Sequence, residues 1–254
     1  MAALIAGFGF VIGCAIGSFL NVVIYRVPYG RSLVSPGSAC PHCGEAIKPW
    51  HNVPVLGWLL IGGRCANTAC RQPVSVRYPS IELAMGLVVS ALAWYFGPTV
   101  ELLAWSVFAA LLMVIFWIDV DHRWILDVTS YPGLALGLFY QWSRGDLLHG
   151  ILTAGFGFGF FWAVRKVSVV VFHKDGLGAG DERFAAMLGA WLGMPAMAVG
   201  MFLSFLVGSI VGLGILVQRG ASRPYPFGPS MAVGAVIALI WGQAIWTWYL
   251  GWMA

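Results

Sequence analysis

Residues 102–118 read LLAWSVFAALLMVIFWI, with Glu101 before this stretch and Asp119 after it. A helix of about 20 mostly apolar residues is long enough to cross the hydrocarbon core of a bilayer. The predicted helix around this stretch covers residues 101–119. Further apolar runs lie at 2–24, 80–97, 125–141, 147–165, 184–199, 200–218 and 229–252. The sequence therefore predicts an all-α polytopic membrane protein with about eight transmembrane helices. The turn between the sixth and seventh helices is expected near Met194-Pro195.

Composition and charge support a membrane protein. Hydrophobic residues make up 60% of the 254 and charged residues only 9%, whereas about 25% of the residues in a soluble protein are charged. With eight spans, every Lys and Arg except Arg144 falls in connectors on one side, and such connectors are usually cytoplasmic. Both termini are then expected outside the cytoplasm. The net charge of +4 is therefore a topology signal, and no nucleic-acid partner is expected.

The chain is predicted to divide into three segments. Residues 1–25 form the first transmembrane helix, which is retained because no basic residue precedes Arg26. Residues 26–79 form a polar cytoplasmic domain that contains four cysteines, and residues 80–254 form the transmembrane core.

The cysteines of the polar segment follow a metal-ligand spacing. Cys40 and Cys43 are separated by two residues, and Cys65 and Cys70 by four. Two thiolate pairs separated by such a distance are typical of a tetrahedral structural zinc site, in which four cysteine sulfurs hold one Zn²⁺. Two disulfides or free thiols are the alternatives, but cytoplasmic thiols stay reduced. Cys14 lies in an apolar run and is interpreted as a small packing residue.

Two carboxylates are candidates for catalysis. Asp119 ends the third predicted helix and Asp181 opens the sixth, so the topology places both near the cytoplasmic face. Ionisable groups at membrane depth are costly and are functional candidates. Two close carboxylates share a proton, so one can activate water while the other polarises a peptide carbonyl. Gly178 and Gly180 precede Asp181 and are expected to position it and to let a substrate strand approach.

The acidic residues alone leave other functions open. They could cap helix ends, or they could form the pathway of an ion or proton-coupled transporter. A non-catalytic membrane scaffold held together by zinc is a further alternative. An intramembrane protease for other substrates would also use two aspartates, although it would not require the cysteine loop.

The chain resembles the type IV prepilin peptidases, also called prepilin leader peptidases of type II secretion. The resemblance runs through nearly the whole sequence and rests on several motifs in order. They are GSFLNVVIYRVP at 17–28, CPHCG at 40–44, NVP at 52–54, GRC at 63–65, RYP at 77–79 with Glu82, ID at 118–119, GAGD at 178–181 and PFGP at 226–229.

The resemblance implies a bifunctional enzyme of the bacterial inner membrane. Its expected substrates are type IV prepilins or type II secretion pseudopilins, whose leader is cut on the cytoplasmic side by the aspartates that match Asp119 and Asp181. The new N-terminal residue is then expected to be methylated with S-adenosylmethionine. No nucleotide-binding fingerprint locates the methyl donor, and Glu45 and Glu82 are candidates by proximity only. Membrane lipid is the other expected partner.

The sequence departs from the family at three places. Leu126-Asp127 replaces a usual Pro-Asp, the second cysteine pair is longer than usual, and Glu182-Arg183 follows Asp181. The extra negative charge of Glu182 is expected to raise the pKa of Asp181.

Overall fold

The helices of the protein follow the apolar runs of the sequence. The computed structural model describes residues 1–173, 176–219 and 225–253, and within these residues it is helical, with no β-strand. The helices are α1 (Ala2–Arg26), α2 (Leu56–Leu60), α3 (Arg77–Phe96), α4 (Val100–His122), α5 (Asp127–Ser143), α6 (Leu147–Phe172), α7 (Ala179–Leu192), α8 (Ala196–Arg219) and α9 (Gly228–Met253). The predicted polar connectors at Lys174, Asp175 and Arg223 lie outside the described residues.

The number of membrane spans differs from the prediction. In the described part of the chain, six helices are long and apolar enough to cross a membrane, namely α1, α3, α4, α6, α8 and α9. The predicted count of eight is not confirmed, because α5 has 17 residues and α7 has 14. At about 1.5 Å per residue both are shorter than a hydrocarbon core of about 30 Å.

The turn after α7 lies where a left-handed glycine and a proline interrupt the helical pattern. α7 ends at Leu192 and α8 begins at Ala196, so the predicted turn near Met194-Pro195 is confirmed. The predicted limits of these helices, 184–199 and 200–218, are nevertheless wrong by several residues. Gly193 adopts φ +65°, a conformation that favours glycine and ends helices, and Pro195 cannot continue a helix.

Two compact units make up the chain, Met1–Val114 and Ile115–Ala254. In the first unit α1 packs on α3 through Gly9, Gly13 and Gly17, whose missing side chains allow close approach. A Cβ at Gly13 would lie 2.6 Å from the Met85 carbonyl oxygen. Cys14 is buried at this contact, as expected for a packing residue.

The second unit surrounds α7. This helix packs against α5, α6 and α9, and α8 packs against α9. Ten of its 14 residues are buried, which explains how a helix too short to span a bilayer is stabilised. Close packing is visible at Gly189, where a Cβ would lie 2.3 Å from the Thr153 carbonyl oxygen of α6. The division into segments 1–25, 26–79 and 80–254 stays a prediction.

Candidate active site and metal centre

Asp119 lies in the last turns of α4, where the long apolar run meets the polar connector. Its residue surface is only 4% exposed. The Oδ2 atom accepts a hydrogen bond of 2.8 Å from the backbone N–H of Gly228, the first residue of α9. The positive end of the α9 helix dipole therefore faces this carboxylate and stabilises its negative charge.

The segment before α9 is anchored so that Gly228 meets Asp119. The Phe227 ring packs on Phe205 and Phe161, with centroid distances of 5.3 and 6.2 Å. The hydroxyl of Tyr225 donates a 2.6 Å hydrogen bond to the carbonyl of Gly208. A Cβ at Gly228 would lie 2.7 Å from Asp119 Oδ2, so a side chain at this position would displace the carboxylate.

Asp181 lies in the first turn of α7, and its residue surface is 7% exposed. Its Oδ2 atom accepts a 2.8 Å hydrogen bond from the backbone N–H of Gly178. The helix therefore starts with a capping interaction that also fixes the orientation of the carboxylate. This placement agrees with the sequence prediction that Asp181 opens a helix.

The two carboxylates act on each other electrostatically. α7 lies outside the six candidate spans, and burial raises the pKa of Asp181 to about 7. The Gly178 N–H opposes this shift, whereas the negative charges of Asp119 and Glu182 add to it. The raised pKa of Asp181 favours the protonated form of this carboxyl group below about pH 7. Asp119 and Asp181, which sequence analysis selected from distant helices, are thus near enough for their charges to interact, and their catalytic role stays a prediction.

Charged residues at two of the departures from the family pattern form ion pairs. Glu182 is buried, and its carboxylate pairs with Arg165 of α6 at 3.2 Å. Arg183 forms an ion pair with Asp127 at the start of α5. The expected effect of Glu182 on the pKa of Asp181 is confirmed in direction.

Gly178 and Gly180 have different surroundings. A Cβ at Gly180 would lie 2.8 Å from Ile125 Cβ and 3.0 Å from its carbonyl oxygen, so α7 packs directly on the connector between α4 and α5. Gly178 has extended backbone angles, and a Cβ there would lie 3.3 Å from Asp181 Oδ2. Contact with a substrate strand stays a prediction for both glycines.

The four cysteines of the polar loop converge. One ligand atom from each of Cys40, Cys43, Cys65 and Cys70 lies within 4.8 Å of the others, and none of these cysteines is in a disulfide. The Sγ atoms of Cys43 and Cys65 are 3.8 Å apart. Four sulfurs at about 2.3 Å from one tetrahedral ion are separated by about 3.8 Å. The cluster can therefore bind a metal ion.

Each cysteine pair lies in a turn closed by a short antiparallel bridge. The bridges join Ala39 to Ala46 and Arg64 to Pro73. The longer second turn is closed by the side chain of Asn67, which accepts from the N–H of Ala69 at 2.8 Å. This side-chain contact explains how a four-residue spacing still presents two sulfurs to one centre.

The local electrostatics favour metal binding at this cluster. Backbone N–H groups of Cys43 and His42 lower the pKa of Cys40 to about 6. At Cys65 the backbone N–H of Asn67 lowers the pKa of the thiol. Burial and the neighbouring cysteine thiols outweigh this effect and raise the pKa to about 12. A cation would remove this conflict, because thiolates are the form that ligates metals.

Comparison with known proteins shows the family of the chain. Residues 11–96 match the Bacterial Peptidase A24 N-terminal domain, and residues 106–213 match the Type IV leader peptidase family. The prepilin leader peptidase/N-methyltransferase of Pseudomonas aeruginosa is 38% identical to this chain, over 94% of the chain and 91% of the relative. The chain belongs to the type IV leader peptidase family. The Neisseria gonorrhoeae relative of the same name is 33% identical over 94% of the chain and 93% of the relative. No solved structure gives a significant match.

For this member of the type IV leader peptidase family, sequence analysis missed the groups that hold the catalytic candidates in place. The motif PFGP at 226–229 was noted, but its contact with Asp119 was not predicted. The available signal was a glycine before a proline at the start of an apolar run, which is typical of a helix N-terminus. The partner of that N-terminus could not be inferred, because it lies more than one hundred residues earlier in the chain.

Proposed function

We propose that the protein is a membrane aspartic endopeptidase that removes the leader peptides of type IV prepilins or pseudopilins and then methylates the new N-terminal residue. The observation that carries the peptidase function is the buried pair of Asp119 and Asp181, each fixed by a backbone N–H and close enough to interact. The names of the relatives, prepilin leader peptidase/N-methyltransferase, support both activities.

The two acids have different roles in this proposal. Asp119 faces the N-terminus of α9 and is the ionised member, which accepts a proton from the attacking water. Asp181 has a pKa raised to about 7 and is the protonated member, which donates a hydrogen bond to the scissile carbonyl oxygen. As the tetrahedral intermediate collapses, the C–N bond breaks and the proton on Asp119 passes to the leaving amine.

The methylation step uses the amine that cleavage releases. S-adenosylmethionine, when bound, would supply the methyl group to the nitrogen of this amine, with S-adenosylhomocysteine as the leaving group and a proton released from the nitrogen. The cleaved substrate keeps its apolar helix in the lipid, which holds the new N-terminus at the membrane boundary.

The active site is proposed to face the cytoplasm of the bacterial inner membrane. Arg123 follows Asp119 by four residues and Arg183 follows Asp181 by two. Basic residues beside helix ends mark the cytoplasmic side. The cysteine cluster is proposed to hold one structural Zn²⁺, which stabilises a loop with few apolar residues.

Two observations disfavour the alternatives. A transporter would place its ionisable groups deep within spans, whereas Asp119 and Asp181 lie at the ends of α4 and α7. A scaffold without chemistry would not require a buried carboxylate pair, which is destabilising by itself.

The test is cleavage of a purified prepilin in detergent by the wild type, D119N and D181N. Asparagine preserves size and can still accept from the neighbouring N–H groups, so the fold should persist. Each variant is expected to lose activity by about 1000-fold or more. D146N is the matched control, because Asp146 is exposed before α6 and its loss should leave cleavage unchanged. Activity in D119N or D181N comparable to the control would refute the proposal.

A further inference from the structure

The connector between α1 and α3 contains a short helix with an exposed apolar face. Leucines occupy positions 56, 59 and 60 of α2, a spacing that places them on one side of a helix. Leu56, Leu59 and Leu60 are 58%, 59% and 72% exposed, and these three side chains form the α2 face. A cluster of exposed apolar side chains in an otherwise polar segment marks a contact with a partner or with a membrane.

The opposite side of α2 is packed within the first unit. A Cβ at Gly57 would collide with the carbonyl oxygen of His51, so the helix lies directly on the preceding turn. The indole N–H of Trp58 donates a 3.0 Å hydrogen bond to the carbonyl of Val74. These contacts fix the orientation of the helix, so the α2 face is directed outward.

A hydrogen bond to α3 sets the level of α2 relative to a membrane span. The backbone N–H of Val55, the residue before α2, donates a 2.6 Å hydrogen bond to Oε2 of Glu82. Glu82 is the sixth residue of α3, which is one of the candidate spans. With a rise of 1.5 Å per residue, this contact lies about 7.5 Å along α3 from its first residue, Arg77. The α2 helix therefore lies beside the end of a span, near the membrane boundary.

The connector carries the charge that suits an anionic lipid surface. Residues 26–79 contain six basic residues, and Glu45 is their only acidic residue. The Nζ atom of Lys48 lies 5.6 Å from the ring centroid of Trp50, and both side chains are exposed. Tryptophan and basic residues anchor proteins at the membrane interface, and clusters of basic residues attract anionic headgroups.

We propose that the α2 face inserts into the interfacial layer of an anionic lipid leaflet, with Trp50 and Lys48 at the level of the headgroups. Helices that lie in the plane of a membrane bury an apolar face at the boundary of headgroups and acyl chains, and positive charge strengthens their binding. Docking of this kind holds the cysteine cluster at the membrane surface. The inference does not depend on the proposed peptidase and methyltransferase activities, because it concerns the surface of the connector and neither reaction.

The contact is tested by photocrosslinking of the full-length protein in lipid nanodiscs of equimolar phosphatidylcholine and phosphatidylglycerol. Leu60→p-benzoylphenylalanine places the photoreactive group on the α2 face. Thr68→p-benzoylphenylalanine is the matched control, because Thr68 is an exposed residue of the second cysteine turn. Mass spectrometry is expected to find a lipid adduct at position 60 and little or none at position 68. An adduct of position 60 with a peptide instead of lipid, no adduct at all, or equal lipid adducts at both positions would overturn the proposal.

The preference for anionic lipid is tested with the same variant in discs of phosphatidylcholine alone. The yield of the lipid adduct at position 60 is expected to fall about 5-fold or more, the factor that corresponds to one basic residue near an anionic surface. High salt should lower the yield in the mixed discs in the same direction, because it screens this attraction. Equal yields in both kinds of disc at low salt would show that the charge of the lipid is not recognised, and the proposed anionic surface would be wrong.

Discussion

Replacing Gly228 with alanine tests whether the contact between α9 and Asp119 is required for peptide cleavage. The new Cβ would lie 2.7 Å from Oδ2, 3.1 Å from Cγ and 3.2 Å from Cβ of Asp119, whereas ordinary contacts begin at 3.4 Å. Relief of the closest contact needs a displacement of 3.4 − 2.7, or about 0.7 Å. A misplacement of about 1 Å in a catalytic geometry can cost about 100-fold in rate. We therefore expect kcat to fall about 10- to 100-fold, with KM little changed.

The assay is steady-state cleavage of a prepilin in detergent, with G159A as the control. Gly159 lies in α6, and a Cβ there would meet no atom within 4 Å, so this variant shares the chemical change without the collision. Alanine also favours a helix over glycine, so the control should keep its fold. Bound metal and thermal unfolding of G228A are compared with the wild type. A folded G228A with wild-type kcat would refute the claim that Gly228 positions Asp119.

Three further predictions concern charge and metal. Because the pKa of Asp181 is raised to about 7, a pH profile of kcat/KM should fall above pH 7 as the proton of the pair is lost. The E182Q variant lacks the negative charge of Glu182, which is one cause of the raised pKa of Asp181. In this variant kcat/KM should therefore begin to fall at a lower pH than in the wild type. An unchanged pH profile would exclude an effect of Glu182 on Asp181. Elemental analysis should find about one zinc per chain and clearly less in C43S, and equal metal in both would contradict the cluster. R183Q removes a partly exposed ion pair with Asp127. Because exposed pairs contribute about 0–1 kcal/mol, the cleavage rate and the thermal stability should change little. A large loss of cleavage activity would show that this pair has a role in the active site.

Hydrophobic length and residue spacing were sufficient to predict the local features. The apolar run at 101–119 predicts α4, and its end at an acidic residue predicts that Asp119 lies near the membrane boundary. The spacing of Cys40, Cys43, Cys65 and Cys70 predicted a single cluster, because cysteine turns have few other stable uses in a reduced loop. The motif GAGD indicated Asp181 as the start of a helix. Each of these features depends on residues that are close together in the chain, so it can be predicted from the sequence alone.

The tertiary structure decided which groups surround those residues. Only the fold brings the N–H of Gly228 to Asp119 and pairs Glu182 with Arg165, because these contacts join helices far apart in the chain. The number of candidate spans could also be decided only from the structure. The α7 helix is apolar like a span, but it is short and most of its residues are buried against other helices. Hydropathy records the preference of a side chain for an apolar environment, and it cannot distinguish a neighbouring helix from lipid.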